Sequence, residues 1–401
     1  MSAASSPPAT PLLRAALLLG LLAVGGCGSG TTLGHPVGDF PPGVVRGPML
    51  ALAAPTSMTI AWTTDVLVVG SVTFGPTASY GTTVADASPV LEHALELSGL
   101  LADTSYHYRI ELGGVPAGGD HTFTTPPSDP DAPVRFVVLG DTGTGTQIAF
   151  DVITRLEAQA PDFVVHVGDL AYNNGTQLDV LERFTIPFAH TLDHLPLYAV
   201  LGNHDVKTRN GQPFLDAVVL PTNPADGTER FYSFDWGPCH FVALDSNSDL
   251  RAGGKQVTWL DADLLTSTAR WKFVFVHHPV WSSSRHGSRP DLQASLSPVL
   301  EAHRVDVVWS GHDHDYERTF PLVGPTPVNA GEEPDYASPP GPIYVVTGGG
   351  GKGLYVSGTS AFTAYSESAF HVTVVDVAGP TLTITAVRVD GTVMDRASIT
   401  K

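Results

Sequence analysis

The chain has 401 residues, with 40 acidic and 21 basic side chains and a formal net charge of −19. Only 15% of residues are charged and 42% are hydrophobic, which excludes a disordered or coiled-coil chain. So acidic a surface repels nucleic-acid backbone, which needs clustered Lys and Arg, and this excludes nucleic acid as a general partner. Two cysteines, Cys27 and Cys239, allow at most one disulfide, so no disulfide scaffold holds the fold.

The first element is an apolar run from Ala15 to Val24. At about ten residues it is too short for a bilayer, which needs ~20, but it has the length of a signal-peptide core. It ends at Val24-Gly25-Gly26-Cys27, which resembles the bacterial lipoprotein cleavage box, where the cysteine is acylated. This implies a signal peptide over residues 1–26, a Gly- and Pro-rich tether over 27–44, and a lipid anchor at Cys27 as the one membrane contact. The protein is then exported and anchored at the outer membrane, facing the periplasm or the cell surface. Gly28 fits that membrane, since inner-membrane retention is associated with Asp at this position. No other run is apolar enough for a transmembrane helix. Cys239 reads as a small buried thiol.

Residues 45–125 show short alternating runs separated by turn residues. Met58, Ile60 and Trp62 share one face, and Val72–Phe74, Ala94–Leu97, Tyr106–Ile110 and His121–Phe123 follow. About seven short strands at this spacing predict an all-β sandwich. The stretch Leu97 to Tyr106 resembles the corner of a fibronectin type III domain, where a Tyr hydroxyl ties back to nearby backbone. His93, His107 and His121 read as surface or core residues. Residues 126–133 are a polar, Pro-rich linker.

From Val134 the pattern alternates strand and helix, which predicts a layered α/β domain over 134–401. Strands are expected at Val134–Leu139, Phe163–Val167, Leu197–Leu201, Phe241–Leu244, Phe273–Val276, Val305–Trp309 and Pro342–Thr347. Helices are expected at Thr146–Gln159, Gln177–His190, Gln256–Leu265 and Asp291–His303. Two or three antiparallel strands close the chain between Phe370 and Ile399.

Chemistry-bearing residues stand just past five of these strands: Gly140-Asp141, Gly168-Asp169-Leu170-Ala171-Tyr172, Gly202-Asn203-His204-Asp205, His277-His278 and Gly311-His312-Asp313-His314. Ligands of layered α/β folds bind beyond the carboxyl ends of strands. Each glycine lets the backbone turn sharply and bring the next side chain close. Imidazoles at i and i+2 project from the same side of an extended chain. Together the blocks predict a metal site.

The five blocks resemble the signature of the calcineurin-like metallophosphoesterases. Most of that superfamily has Asp-x-His in the first block, but here the position is Gly143, and Tyr172 stands three residues beyond Asp169. That exchange resembles the purple acid phosphatases, whose larger members carry a fibronectin-like domain in front. His277-His278-Pro279 through His286-Gly287 and Tyr316-Glu317-Arg318 match them as well. The implied fold is a fibronectin-like all-β sandwich followed by a four-layer α/β-β/α phosphoesterase domain. One departure is Asp205, where the family usually has Glu.

The resemblance implies one metal held by Asp141, Asp169, Tyr172 and His314, and a second held by Asp169, Asn203, His277 and His312. Neighbouring strand residues point to opposite sides, so one of His277 and His278 reaches a metal, and the family block favours His277. A phenolate suits a hard trivalent ion, while an amide oxygen and two imidazoles suit a divalent one. The expected cofactor is therefore Fe(III) with Zn, Mn or Fe(II). His166 reads as a core histidine.

The implied activity is a secreted, acid phosphatase-like phosphomonoesterase that cleaves small phosphate esters by attack of a metal-held hydroxide. His204 is expected to assist the leaving group with Asp205 orienting it and raising its pKa, and His286 to contact phosphate. The alternative is a phosphodiesterase or nucleotidase on the same centre. A non-catalytic surface protein fits the full ligand set poorly. The glycine run Gly348–Gly351 before Lys352 lacks the phosphate-loop spacing and reads as a tight loop beside the site.

Overall fold

The structure, a computed structural model, describes residues 40–401. The leader, the Cys27 anchor and most of the tether lie outside the described residues. Among the described residues no helix is long and apolar enough to cross a membrane.

The first region is a sandwich of two antiparallel sheets. Val44–Ala54, Ser57–Val68 and Val90–Ser98 make one. Gly70–Gly75, Thr82–Ala85, Ser105–Leu112, Val115–Pro116 and His121–Thr124 make the other. Met58, Ile60 and Trp62 point inward against Val72, Phe74, Tyr108 and Ile110, as their alternation predicts. The Tyr106 hydroxyl accepts the Leu101 N–H at 3.0 Å and so fixes the corner.

The strand Ser57–Val68 is buried on both faces from Met58 to Thr64. Its second face explains this: Ala61, with Met49 from the neighbouring strand, joins the core of the next region. Polar bonds fix the same contact. Arg46 Nη2 donates to the Asp216 carbonyl at 2.6 Å, and the Tyr108 hydroxyl to the Asp193 carbonyl at 2.6 Å.

The second region holds two seven-stranded sheets face to face. The first runs in the order Leu197–Ala199, Phe163–His166, Val134–Leu139, His371–Ala378, Thr381–Arg388, Val393–Thr400, Asp335–Ala337. The second runs Tyr232–Trp236, Cys239–Leu244, Trp271–Val276, Val307–Ser310, Ile343–Thr347, Tyr316–Thr319, Thr363–Glu367. Phe136 and Phe163 from the first sheet meet Phe241 and Phe273 from the second, with ring centroids 5.1–5.3 Å apart. Edge-to-face and offset aromatic pairs add about 0.5–1.5 kcal/mol each beyond the area they bury. At one end Arg318 of the second sheet is fully buried and binds Asp395 of the first at 2.6 and 2.9 Å.

Helices cover the outer faces, giving four layers. Gln147–Glu157 buries Ala149, Val152, Ile153 and Leu156 against the first sheet. Lys255–Thr266 and Pro290–Ala302 bury Leu260, Leu264, Leu292 and Leu296 on Val242, Val274 and Val308 of the second. The helix expected across Gln177–His190 is instead three pieces: Gln177–Val180, a wide turn Leu181–Thr185, and Ala189–Leu192. Pro187 lacks an N–H and so removes a bond from the helical ladder, although Ile186 before it keeps helical dihedrals. Cys239 is a buried free thiol.

Candidate metal centre

The parallel strands of both sheets open at one edge, and their connecting loops clasp one another. The Asp141 N–H donates to the Gly168 carbonyl at 2.9 Å, and the Gly311 N–H to the His277 carbonyl at 3.1 Å. Asp141, Asp169 and His312 sit at φ of 62°, 60° and 70°, the left-handed region that non-glycine residues rarely occupy. Strain of this kind persists where the surroundings over-determine the conformation, and it clusters at functional sites. A Cβ on Gly311 would stand 2.5 Å from a carboxylate oxygen of Asp141, so only glycine fits between the loops.

Two groups of donors result. In the first, the Tyr172 hydroxyl lies 2.8 Å from Asp141 Oδ1 and 3.2 Å from His314 Nε2. In the second, Asn203 Oδ1 lies 3.0 Å from His277 Nε2 and 2.8 Å from His312 Nδ1. Asp169 sits between them, with Oδ1 3.7 Å from His277 Nε2. One ligand atom each from Asp141, Asp169 and His277 lie within 4.8 Å of one another. The structure thus brings together all seven residues expected as metal ligands.

The far nitrogens of two imidazoles are fixed by the fold. His277 Nδ1 faces the Val167 carbonyl at 2.8 Å, and His314 Nδ1 the Gly353 carbonyl at 2.9 Å. Each ring thereby turns its Nε2 into the site. His278 points elsewhere, its Nδ1 2.7 Å from Ser246 Oγ. His166 is buried, with Nε2 2.9 Å from Thr142 Oγ1.

Without cations this arrangement is electrostatically costly. Burial, then the neighbouring Asp169 carboxylate, push Asp141 well above the usual carboxylate range. Burial and the carboxylates of Asp141 and Asp169 push the Tyr172 phenol well above its ordinary value. Burial drives His312 well below the usual imidazole range and His314 down to about 4, so both rings are in the neutral form that binds metal. A bound cation reverses the penalty on the carboxylates and the phenol. The donor set fits a metal pair.

Asp205 does not play the part expected of it. Its carboxylate is buried and accepts the N–H groups of Asp169 at 2.8 Å, Ala171 at 3.0 Å and Gly202 at 2.8 Å. It braces the loop that carries Asp169, and the Asn173 carbonyl, 2.7 Å from Nδ1, orients the His204 ring instead. Burial lowers the pKa of His204, where pairing with Asp205 was expected to raise it. His286 lies at the exposed rim, its ring centroid 4.2 Å from that of His312. Its N–H is held by Asp313 Oδ1 at 2.9 Å.

Several rim residues escaped sequence reasoning. Lys207 Nζ lies 2.9 Å from His204 Nδ1, and Lys352 Nζ lies 4.4 Å from the centre of the Tyr172 ring. Arg285 stands 4.9 Å over Tyr355, whose ring stacks on His314 at 4.2 Å. The Gly348–Gly351 loop supplied the available signal: it does border the site, and it delivers Lys352 and Tyr355 there.

Four layers with carboxylates, a phenol, an amide and imidazoles at the strand ends form a site suited to a pair of metal ions. The calcineurin-like phosphoesterase family model matches residues 134–316. Purple acid phosphatase 22 of Arabidopsis thaliana is 30% identical over 69% of this chain and 64% of its own length, so the chain spans less than two thirds of that relative. A nucleotide pyrophosphatase/phosphodiesterase of Hordeum vulgare is 30% identical over 60% of this chain and 75% of its own length. A purple acid phosphatase from yellow lupin (Lupinus luteus) seeds shares the fold, with a TM-score of 0.77 at 22% identity, over 88% of this chain and 74% of that one. The chain belongs to the calcineurin-like phosphoesterases, and purple acid phosphatases are among the proteins it is similar to. That family implies a dinuclear metal centre.

Proposed function

We propose that the protein is an exported, lipid-anchored phosphomonoesterase with an Fe(III)–M(II) centre, M being Zn, Mn or Fe. In this reading residues 134–401 form the catalytic domain and 45–125 an accessory sandwich. The observation that carries it is the Tyr172 phenol, buried between Asp141 and His314. Asp141, Asp169, Tyr172 and His314 would hold the trivalent ion. Asp169, Asn203, His277 and His312 would hold the divalent one. When bound, the pair activates water and neutralises charge on the phosphoryl oxygens.

The chain's own residues do the rest. His204 donates its Nδ1–H to the Asn173 carbonyl, so Nε2 can pass a proton to the departing oxygen only from the imidazolium form, which the lowered pKa restricts to acid conditions. His286 and Lys352 flank the phosphate position and screen its charge. Asp205 keeps the Asp169 loop in its left-handed turn. Metal analysis with visible absorption tests the centre: a phenolate-to-iron(III) band that disappears in Tyr172→Phe is expected. A colourless protein holding only zinc or manganese rejects the iron.

A second reading, a nucleotide pyrophosphatase or phosphodiesterase, is favoured by the cations Lys207, Lys352 and Arg285 at the rim, which suit a second anionic group. Turnover of a monoester and a diester side by side decides between the two.

A further inference from the structure

A second cluster of metal-ligating side chains lies at the opposite end of the strand Leu197–Ala199 from Asn203. Asp193 stands at its centre, and three imidazoles face its carboxylate. His194 Nδ1 lies 3.0 Å from Oδ1, His190 Nδ1 3.6 Å from Oδ1, and His121 Nδ1 3.3 Å from Oδ2. One ligand atom each from His190, Asp193 and His194 fall within 4.8 Å of one another.

These spacings are those of a metal polyhedron. Zinc–ligand bonds of about 2.1 Å in a tetrahedron place neighbouring ligand atoms about 3.4 Å apart. Ion pairing alone accounts for the cluster less well. One carboxylate balances one imidazolium, and three protonated rings would leave two uncompensated charges side by side. The His190 and His194 rings approach to 4.8 Å between centroids, so two imidazoles stand side by side at one carboxylate.

We infer that His190, Asp193 and His194 form a site for a zinc-type divalent cation, separate from the catalytic pair, with His121 of the sandwich holding the other carboxylate oxygen of Asp193. His121 belongs to the sandwich strand His121–Thr124, and its ring stacks on Tyr108 at 5.2 Å. The other three come from the Ala189–Leu192 turn and the residues after it. The Tyr108 hydroxyl donates to the Asp193 carbonyl at 2.6 Å and aligns the two sides. His194 Nδ1 also faces the His190 carbonyl at 2.6 Å, a hydrogen bond that the cation replaces. Imidazole and carboxylate donors select zinc over magnesium or calcium.

The test is equilibrium dialysis of the metal-loaded full-length protein against micromolar-range Zn²⁺, followed by elemental analysis. The wild type is expected to hold one zinc equivalent more than Asp193→Ala. His312→Ala is expected to keep that equivalent while losing catalytic metal, which separates this site from the reading of the centre above. His190 is exposed, so His190→Ala leaves the core intact, and it is expected to weaken the extra zinc at least ~10-fold. Zinc content and affinity unchanged in both Asp193→Ala and His190→Ala would overturn the assignment. Should Asp193→Ala fail to fold, the His190→Ala titration decides alone.

Discussion

The two sheets of the phosphoesterase region carry different chemistry to the same edge. The first sheet delivers oxygen: Asp141, Asp169, Tyr172 and Asn203. The second delivers imidazole nitrogen: His277, His312 and His314, with His286 at the rim. Each proposed metal draws on both sheets, so neither half of the fold can form the centre alone. The shared aromatic layer of Phe136, Phe163, Phe241 and Phe273 sets the spacing between the two donor sets. Rigidity at that layer and geometry at the site are one requirement.

The sharpest way to break this division is at Asp169, the one oxygen donor assigned to both metals. Asp169→Asn is expected to lose both metals' link and to lower turnover by more than ~10³-fold, read by steady-state kinetics and metal content together. Next comes His204, an imidazole carried by a loop of the first sheet. His204→Ala is expected to cost about 10²–10³-fold in kcat with both metals retained, while full activity would remove His204 from the mechanism. Between the sheets, Phe136→Ala leaves a cavity that is expected to cost about 3–5 kcal/mol of stability by chemical denaturation. Unchanged stability there would show that the sheets are held by other contacts.

The smallest effect concerns the second sheet's own anchoring to its helix. His240 on the strand Cys239–Leu244 lies 2.7 Å from Asp235 and 2.8 Å from Asp263 of the helix Lys255–Thr266. Burial would lower its pKa, but the two carboxylates hold it up to about 9. A folded-state pKa above the unfolded one stabilises fully below about pH 6.5, and the contribution disappears as pH rises through about 9. Denaturant midpoints are expected to fall across that window, and to fall less in His240→Gln.

Much of this was legible in the sequence, because buried strands and their following glycines leave a local pattern. Val134–Leu139 reads as a strand from its apolar run and is one. The blocks after it name their side chains directly. Non-local partners leave no such trace. Nothing in the sequence around Asp205 shows that three backbone N–H groups from two loops converge on it. The strand Ser57–Val68 shows one inward face by alternation, and its second face is buried by a surface over a hundred residues away in the chain. Lys207 and Lys352 reach the rim through loops whose paths only the fold defines. The strand Tyr316–Thr319 was missed because Glu317 and Arg318 look solvent-facing, whereas each is buried with charged or hydroxyl partners.

The left-handed turns at Asp141 and Asp169 set a limit on mutational change. Each position must supply a carboxylate oxygen and also tolerate a positive φ. Glycine meets the second demand alone, and Glu meets the first with the wrong reach. Asn tolerates the turn but gives up the negative charge. The usable alphabet at these two codons therefore shrinks to a single letter, whereas Asp205, whose φ is ordinary, has room to differ among relatives. Drift in this protein is thus channelled away from the turns themselves and toward the side chains that brace them.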